Sequence, residues 1–255
     1  MRRFLLILLL LLLFVSPVSA DPLSLSEDLE DTVTVFYNGE DDSGGCYVYS
    51  FCYPCVSDSN DLSAVCINEY YSRKVEEYKD FYIPSQATEY GRYCQNVDIK
   101  VSYLLTCNND DFFSVLISKT ENVEGDITVV WEGNTFSRSS EVIGSLTSLP
   151  KLLGLVDDGE SDEWYEDRQS MKVFEVICSL VWEEIRSNPD SLPYVPDLEK
   201  EDLEYIIDPV LSLDQDFYLD ENGNVVFFIL PGRIAPEDAG LMTFIFSPEQ
   251  IRDEL

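Results

Sequence analysis

Apolar and polar positions alternate with a period of two over TVTVFY (Thr32–Tyr37) and again across GCYVYSFCYPCVS (Gly45–Ser57), the signature of half-buried strands. Between Ala64 and Tyr78 the period changes. Ala64, Ile67, Tyr71, Val75 and Tyr78 recur at three- and four-residue steps with charges between them, which predicts a helix that ends at Pro84. NVDIKVSYLLTC (Asn96–Cys107), the turn NNDD and FFSVLISK (Phe112–Lys119) predict a hairpin, with DITVVWEGNTFS (Asp126–Ser137) as a further strand. A second helix follows: Phe174, Ile177, Cys178, Val181, Trp182 and Ile185 form one apolar stripe, closed by Asn188-Pro189. The Pro-spaced run NPDSLPYVPDLEK and a short helical piece near Glu201–Ile207 lead into FYLDENGNVVFFIL, where Asn222-Gly223 signals a hairpin. These patterns predict an α+β protein of two small subdomains, each an antiparallel sheet with a packed helix. Residues 32–150 form the first and 151–255 the second, and the acidic run VDDGESDEWYED (Val156–Asp167) reads as the loop between them.

The N-terminus stands outside this pattern. Arg2 and Arg3 precede an apolar run from Phe4 to Val15, then Ser-Pro, with Val18 and Ala20 at the −3 and −1 positions. This describes a secretory signal peptide over residues 1–20, cleaved after Ala20. The run is too short for the roughly 20 apolar residues of a bilayer span, so we expect a secreted, extracytoplasmic chain with no integral membrane segment after cleavage. Residues 21–31 read as an acidic leader. The full chain carries 16 basic and 49 acidic residues, a net charge of −33; loss of the two signal arginines takes it to −35. A field of that sign repels nucleic acid and attracts cationic partners. With 45% hydrophobic residues the chain nonetheless builds a real core.

Export makes disulfides available to Cys46, Cys52, Cys55, Cys66, Cys94 and Cys107. Fifteen pairings of six cysteines exist, and spacing does not choose among them. Cys178, on the apolar helical stripe, reads as a buried thiol. Chemistry is sparse. The chain has no histidine, which excludes Ser-His-Asp and Cys-His catalysis and histidine-ligated zinc. Cys52-Tyr53-Pro54-Cys55 lies in a strand-like run, whereas a redox C-x-x-C opens a helix that activates its first thiol. Asp220, Asn222 and Asn224 match the first positions of a calcium loop, but Val225 stands where the loop needs glycine. No catalytic pair of carboxylates is distinguishable among 49 acids. We expect no enzyme, no cofactor and no metal.

The stretch DFYLDENGNVVFFILPGRIAPEDAGLMTFIFSPEQI resembles the end of the extracytoplasmic domain of the anti-sigma factor RsiV and of related bacterial secreted proteins of unknown function. Asn222, Gly223, Phe227, Phe228, Pro231, Ile234, Ala235, Pro236, Ala239 and Gly240 carry the likeness. YPCVS, INEYYSRKVEEYKDF with Asn68, and VSYLLTCNNDDFFSVLIS are similar to the domain that precedes it in RsiV and in the peptidoglycan deacetylase PdaC. The chain departs from the pattern where relatives carry Gly-Gly-Ala-His, here Val123-Glu124-Gly125-Asp126, and at Gly232-Arg233. The resemblance implies no deacetylase, since the catalytic metal domain has no counterpart, and Met1–Arg3 leaves no sigma-binding segment. It implies a non-enzymatic binding module that recognises a basic, envelope-directed protein such as lysozyme, or else a cell-wall component. The rival expectation is a glycan-binding accessory or a carboxylate-dependent hydrolase. Against this bacterial resemblance, and with no Asn-x-Ser/Thr sequon, the terminal Arg252-Asp253-Glu254-Leu255 is read as an incidental match to a retention signal.

Overall fold

The computed structural model describes residues 22–38, 44–57, 61–93, 95–138, 145–156, 163–187, 194–195, 197–209 and 211–255. The signal segment, Cys94, residues 157–162 of the acidic run and Asn188-Pro189 fall outside them. Strands β1 (Leu29–Asn38), β2 (Gly44–Tyr53), β3 (Val97–Asn108), β4 (Phe112–Val123) and β5 (Asp126–Ser137) form one sheet in that order. Strands β6 (Phe217–Leu219), β7 (Val225–Ile229) and β8 (Met242–Phe246) form a second, antiparallel one. The α+β class is as expected. One pair departs from the antiparallel expectation: β2 and β3 run parallel, from Tyr47↔Val97 to Phe51↔Val101. A parallel pair needs a long crossover, and the helical segment between these strands supplies it.

That segment also overrides Pro84. Helix α1 (Leu62–Glu77) passes into a π turn (Tyr78–Tyr82) and directly into α2 (Ile83–Gly91), with Pro84 in the first turn of α2. The Ile83 N–H bonds the Tyr78 carbonyl, a five-residue step. Where the ladder has already shifted to wider spacing, proline's missing N–H and bulky ring are accommodated, as at a helix start. Asp61 caps α1 by accepting from the Ser63 and Ala64 N–H groups, and its other oxygen pairs with the buried Arg138 guanidinium at 3.2 Å.

Period two then meets period 3.6. The odd residues of β2, Tyr47, Tyr49, Phe51 and Tyr53, are buried against Ala64, Ile67, Tyr71 and Val75 of α1 and Ile83 and Ala87 of α2. Their rings interlock with the helices: Tyr53 stacks on Tyr71 at 5.2 Å between centroids, and Tyr71 meets Phe136 of β5 edge-on at 5.8 Å. Two asparagines tie irregular chain to this unit by imitating a strand neighbour. Asn68 takes the Val56 N–H and gives its amide to the Val56 carbonyl, both at 2.8 Å. Asn108 does the same for Leu23, at 2.9 and 2.8 Å. Residues read as a leader are thereby docked, and β1 begins inside them at Leu29.

The second core lies on the opposite face of β3–β5. A bulge between Leu105 and Cys107 turns Cys107 out of the first core and into the second. There, after the short helix α3 (Leu149–Leu152), α4 (Glu163–Ser187) presents the predicted stripe, with Phe174, Ile177, Cys178, Val181 and Ile185 buried. It starts earlier than the stripe, taking in the end of the acidic run. All five residues of β7 are buried, because it is the central strand of its sheet and covered on both faces. Val225, Phe227 and Ile229 join the α4 core, while Phe228 packs near Tyr218 on the other side.

The two sheets meet at a seam. A Cβ built on Gly133 of β5 lies 1.7 Å from the Phe217 carbonyl oxygen of β6, so only glycine admits this approach. Beside it, the buried hydroxyls of Ser114 and Thr135 share a hydrogen bond at 2.8 Å, and the Leu219 N–H donates to Ser114 Oγ at 3.0 Å. Gly133→Ala forces backbone from backbone, and we expect it to cost about 1–3 kcal/mol or more. Urea denaturation followed by circular dichroism checks this; a midpoint within error of wild type would show that the seam is looser than described.

Candidate functional site

A cleft of about 470 Å³ opens where α1, β5 and the C-terminal elements converge, lined by Tyr70, Glu132, Asn134, Lys151, Asp214 and Gln215 among others. Its floor is a connected polar cluster. Lys74 Nζ donates to both Glu132 oxygens at 2.7 and 3.0 Å, and Asn134 Nδ2 donates to Glu132 Oε1 at 2.7 Å. The Tyr71 hydroxyl donates to Asn134 Oδ1 at 3.1 Å, and Lys74 lies 5.8 Å from the centre of the Tyr70 ring. The residues come together because Tyr70 and Tyr71 lie four and three positions before Lys74, one turn away on α1, while Glu132 and Asn134 share one face of β5. Burial, with Glu132 nearby, raises the pKa of both Tyr70 and Tyr71, so these hydroxyls stay protonated. The cluster is therefore neutral in sum and internally satisfied, and it offers hydrogen-bonding groups at a cleft floor rather than a poised base.

A smaller hollow of about 260 Å³ lies among Trp131, Ile207, Asp208, Asp216, Phe228 and Arg233. Burial raises the Asp216 pKa; the Ser212 hydrogen bond lowers it, the Asp208 charge raises it and Arg233 lowers it, with a net upward shift.

The predicted signature residues fall on one continuous segment. Asn222 and Gly223 form the β6–β7 turn, with Gly223 at φ 79°. The Asp220 carboxylate binds that turn: it accepts from the Asn222 and Asn224 N–H groups at 2.9 and 2.8 Å and from the Asn224 amide at 2.9 Å. Partial burial pushes its pKa up, but these bonds outweigh burial and hold it below the usual carboxylate range. Its oxygens thus hold the turn. Phe227 and Phe228 lie in β7, Pro231 follows the strand, and Ile234 and Ala235 are buried in the second core. Pro236 opens a short 3₁₀ turn, and Gly240, at φ 75°, precedes β8. None of these residues lines the Glu132 cleft, whereas Pro231 and Gly240 line a separate groove beside β5.

The described cysteines are all thiols, and they are scattered. Cys46 and Cys52 lie on the outward face of β2, Cys55 follows it, Cys66 is on α1, and Cys107 and Cys178 are buried in the second core. Burial pushes Cys107 up to about 11 and Cys178 up to about 12. Cys52 stands with Asp28 and Glu30, their ligand atoms within 4.8 Å of one another. Partial burial, then the Asp28 and Glu30 charges, push this thiol up to about 11, while Asp28 accepts from the Tyr103 hydroxyl at 2.5 Å. A thiol so held is a poor nucleophile. Asp28, Glu30, Lys74, Glu132 and Asn134 belong to no sequence motif; strand alternation orients Glu132 and Asn134 and helical spacing orients Lys74, but neither says which helix lies across the strand.

No protein-family model matches the sequence, and no curated protein is significantly similar to it. Solved structures are similar. A DUF3298 family member from Bacteroides fragilis superposes with a TM-score of 0.50 at 14% identity, covering 91% of this chain and 94% of the other. A DUF3298 family protein from Pseudomonas aeruginosa gives 0.41 at 10% identity over the same shares. The Bacteroides fragilis protein and this chain share a fold. Among the described residues no helix is long and apolar enough to cross a membrane.

One consequence of the Asp216 environment is measurable. An acid whose folded pKa is raised gives stability that is full below its unfolded value near 3.8 and lost as pH rises through the folded value. Asp216→Asn should therefore raise the melting temperature at pH 7, and the gain should vanish as the pH is lowered toward 4. Thermal scans across that range test it; a gain independent of pH would assign the effect to packing.

Proposed function

We propose that this protein is an extracytoplasmic, non-enzymatic binding module of the RsiV-like class, recognising a cationic, envelope-directed protein such as lysozyme. The observation that carries this reading is the uncompensated negative exterior: 49 acidic against 16 basic residues. Ion pairs between described residues engage Glu132, Asp31, Glu121, Asp61 and Glu249. Carboxylates such as Glu199, Glu201, Asp202 and Glu204 stand exposed on and beside the helix α5 (Lys200–Ile206), next to a Tyr205 that is 90% exposed. Such a surface speeds encounter with a basic partner and makes affinity salt-dependent. The DUF3298-type fold is consistent with the RsiV resemblance in the sequence. Glu132, whose two oxygens already accept hydrogen bonds, favours a binding role over a catalytic one.

The expected result is that residues 21–255 bind hen lysozyme with an affinity falling about tenfold or more between roughly 20 mM and 150 mM salt. Calorimetry at both concentrations measures it, and no binding at the lower salt would remove lysozyme as the partner class. A glycan-binding accessory is the second reading, favoured by the cleft that places Tyr70, Asn134 and Glu132 side by side. It requires retention on insoluble peptidoglycan that Asn134→Ala abolishes.

A further inference from the structure

The groove beside β5 has a property the Glu132 cleft lacks: one of its walls is an open strand edge. β5 is the last strand of its sheet and pairs with β4 without a register break, from Val123↔Asp126 to Phe112↔Ser137; on its other edge Phe136 forms a single bridge to Leu146. The two-residue turn Glu124-Gly125, with φ 53° and 101°, has the left-handed pair of a type I′ hairpin. Such a turn closes on a hydrogen-bonded pair, so Asp126 and every second residue after it bond β4. Ile127, Val129 and Trp131 then aim their N–H and C=O groups away from the sheet. The far half of the strand shows the same parity. The Thr135 carbonyl accepts from Thr147 N–H at 2.8 Å, Ser137 N–H donates to Ser145 at 3.4 Å, and Gly133 is covered by Phe217.

The near half has no such cover. Among the described residues no backbone group bonds those of Ile127, Val129 or Trp131. Edges of this kind are ordinarily blunted by lysine, proline or a bulge, and Asp126–Trp131, DITVVW, contains none of these. Its β-branched and aromatic residues instead favour a further strand. The same three residues form one wall of a groove of about 610 Å³, with Pro231, Glu237, Asp238, Gly240 and Leu241 as the other wall. Ile127 is 62% exposed. Glu237 and Asp238 are both exposed and form no ion pair among the described residues.

We propose that this groove receives an extended, lysine- or arginine-bearing segment of a partner protein, added as a sixth strand on the open edge of β5. The proposal rests on the cationic-partner reading above and specifies where and how that partner is held. Main-chain bonds to Ile127, Val129 and Trp131 would supply affinity, and the Glu237 and Asp238 carboxylates would select basic side chains. A second copy of this chain is disfavoured as the occupant, since edge pairing would bring two such carboxylate pairs and two charges of −33 together.

The probe is a blocked octapeptide of alternating lysine and valine, titrated into residues 21–255 at low salt. It should bind, and the same peptide N-methylated at every residue, with equal charge, should bind about tenfold more weakly or worse. Val129→Pro removes an N–H that β4 does not use, a position where edge strands tolerate proline. With an unchanged circular dichroism spectrum, it should weaken the unmethylated peptide about tenfold. Glu237→Lys with Asp238→Lys should flatten the salt dependence. Equal binding of both peptides would overturn the strand-addition proposal while leaving the cationic-partner reading standing; so would a dimer that Val129→Pro dissolves. Absence of any binding by the octapeptide at low salt would also overturn it, and the lysozyme titration separately decides the reading on which it rests.

Discussion

The close approach of two backbones at Gly133 and Phe217 organises this molecule. Two sheets can pack face to face at about 10 Å with side chains between them, but here β6 reaches the edge and outer face of β5 without any side chain intervening. That contact is possible at glycine and costly elsewhere. Ser114 and Thr135 make it specific: the Ser114 hydroxyl, itself bonded to that of Thr135, accepts the Leu219 N–H, a group that would otherwise be stranded between layers. Glu132 and Asn134, which flank Gly133 in β5, floor one cleft, and Ile127, Val129 and Trp131 of the same strand line the groove.

Charge is handled by separation. The tyrosines and phenylalanines of β2, α1 and β5 fill the first core, and the aliphatic stripe of α4 with β7 fills the second. Carboxylates that enter partly buried ground are each given donors: Asp61 has the α1 amides and Arg138, Glu132 has Lys74 and Asn134, and Asp220 has its own turn. At Asp216 burial and the Asp208 charge outweigh the Ser212 hydrogen bond and the Arg233 charge, and its pKa rises. Exposed acids such as Glu199, Glu201 and Glu204 stay in water, where they cost little and present the field on which a cationic ligand would depend. Asn68 and Asn108 add order without charge, each satisfying both backbone groups of one residue in an irregular segment.

Much of this was legible along the chain. The alternation in DITVVWEGNTFS marks β5 from Asp126 to Ser137, and the stripe from Phe174 to Ile185 marks the buried face of α4. The Asn222-Gly223 signal marks the turn before β7. These succeed because periodicity reports which side of an element is shielded from water, and turn residues report where the backbone needs φ above zero. The charge imbalance and the lack of histidine are likewise properties of composition alone. The sequence by itself therefore determined the element types, the α+β class and the sign of the surface. Tertiary structure decided the rest. Pro84 reads as a stop until a π turn widens the ladder ahead of it, and β2 and β3 become parallel only because that helical run spans the sheet. Gly133 looks like a flaw in a strand until Phe217 arrives from more than 80 residues away, and Glu132 is one acid among 49 until Lys74 lies across from it. The reason is common to all four: local pattern encodes what faces inward, but the partner that meets it is set by long-range packing that no window of sequence contains.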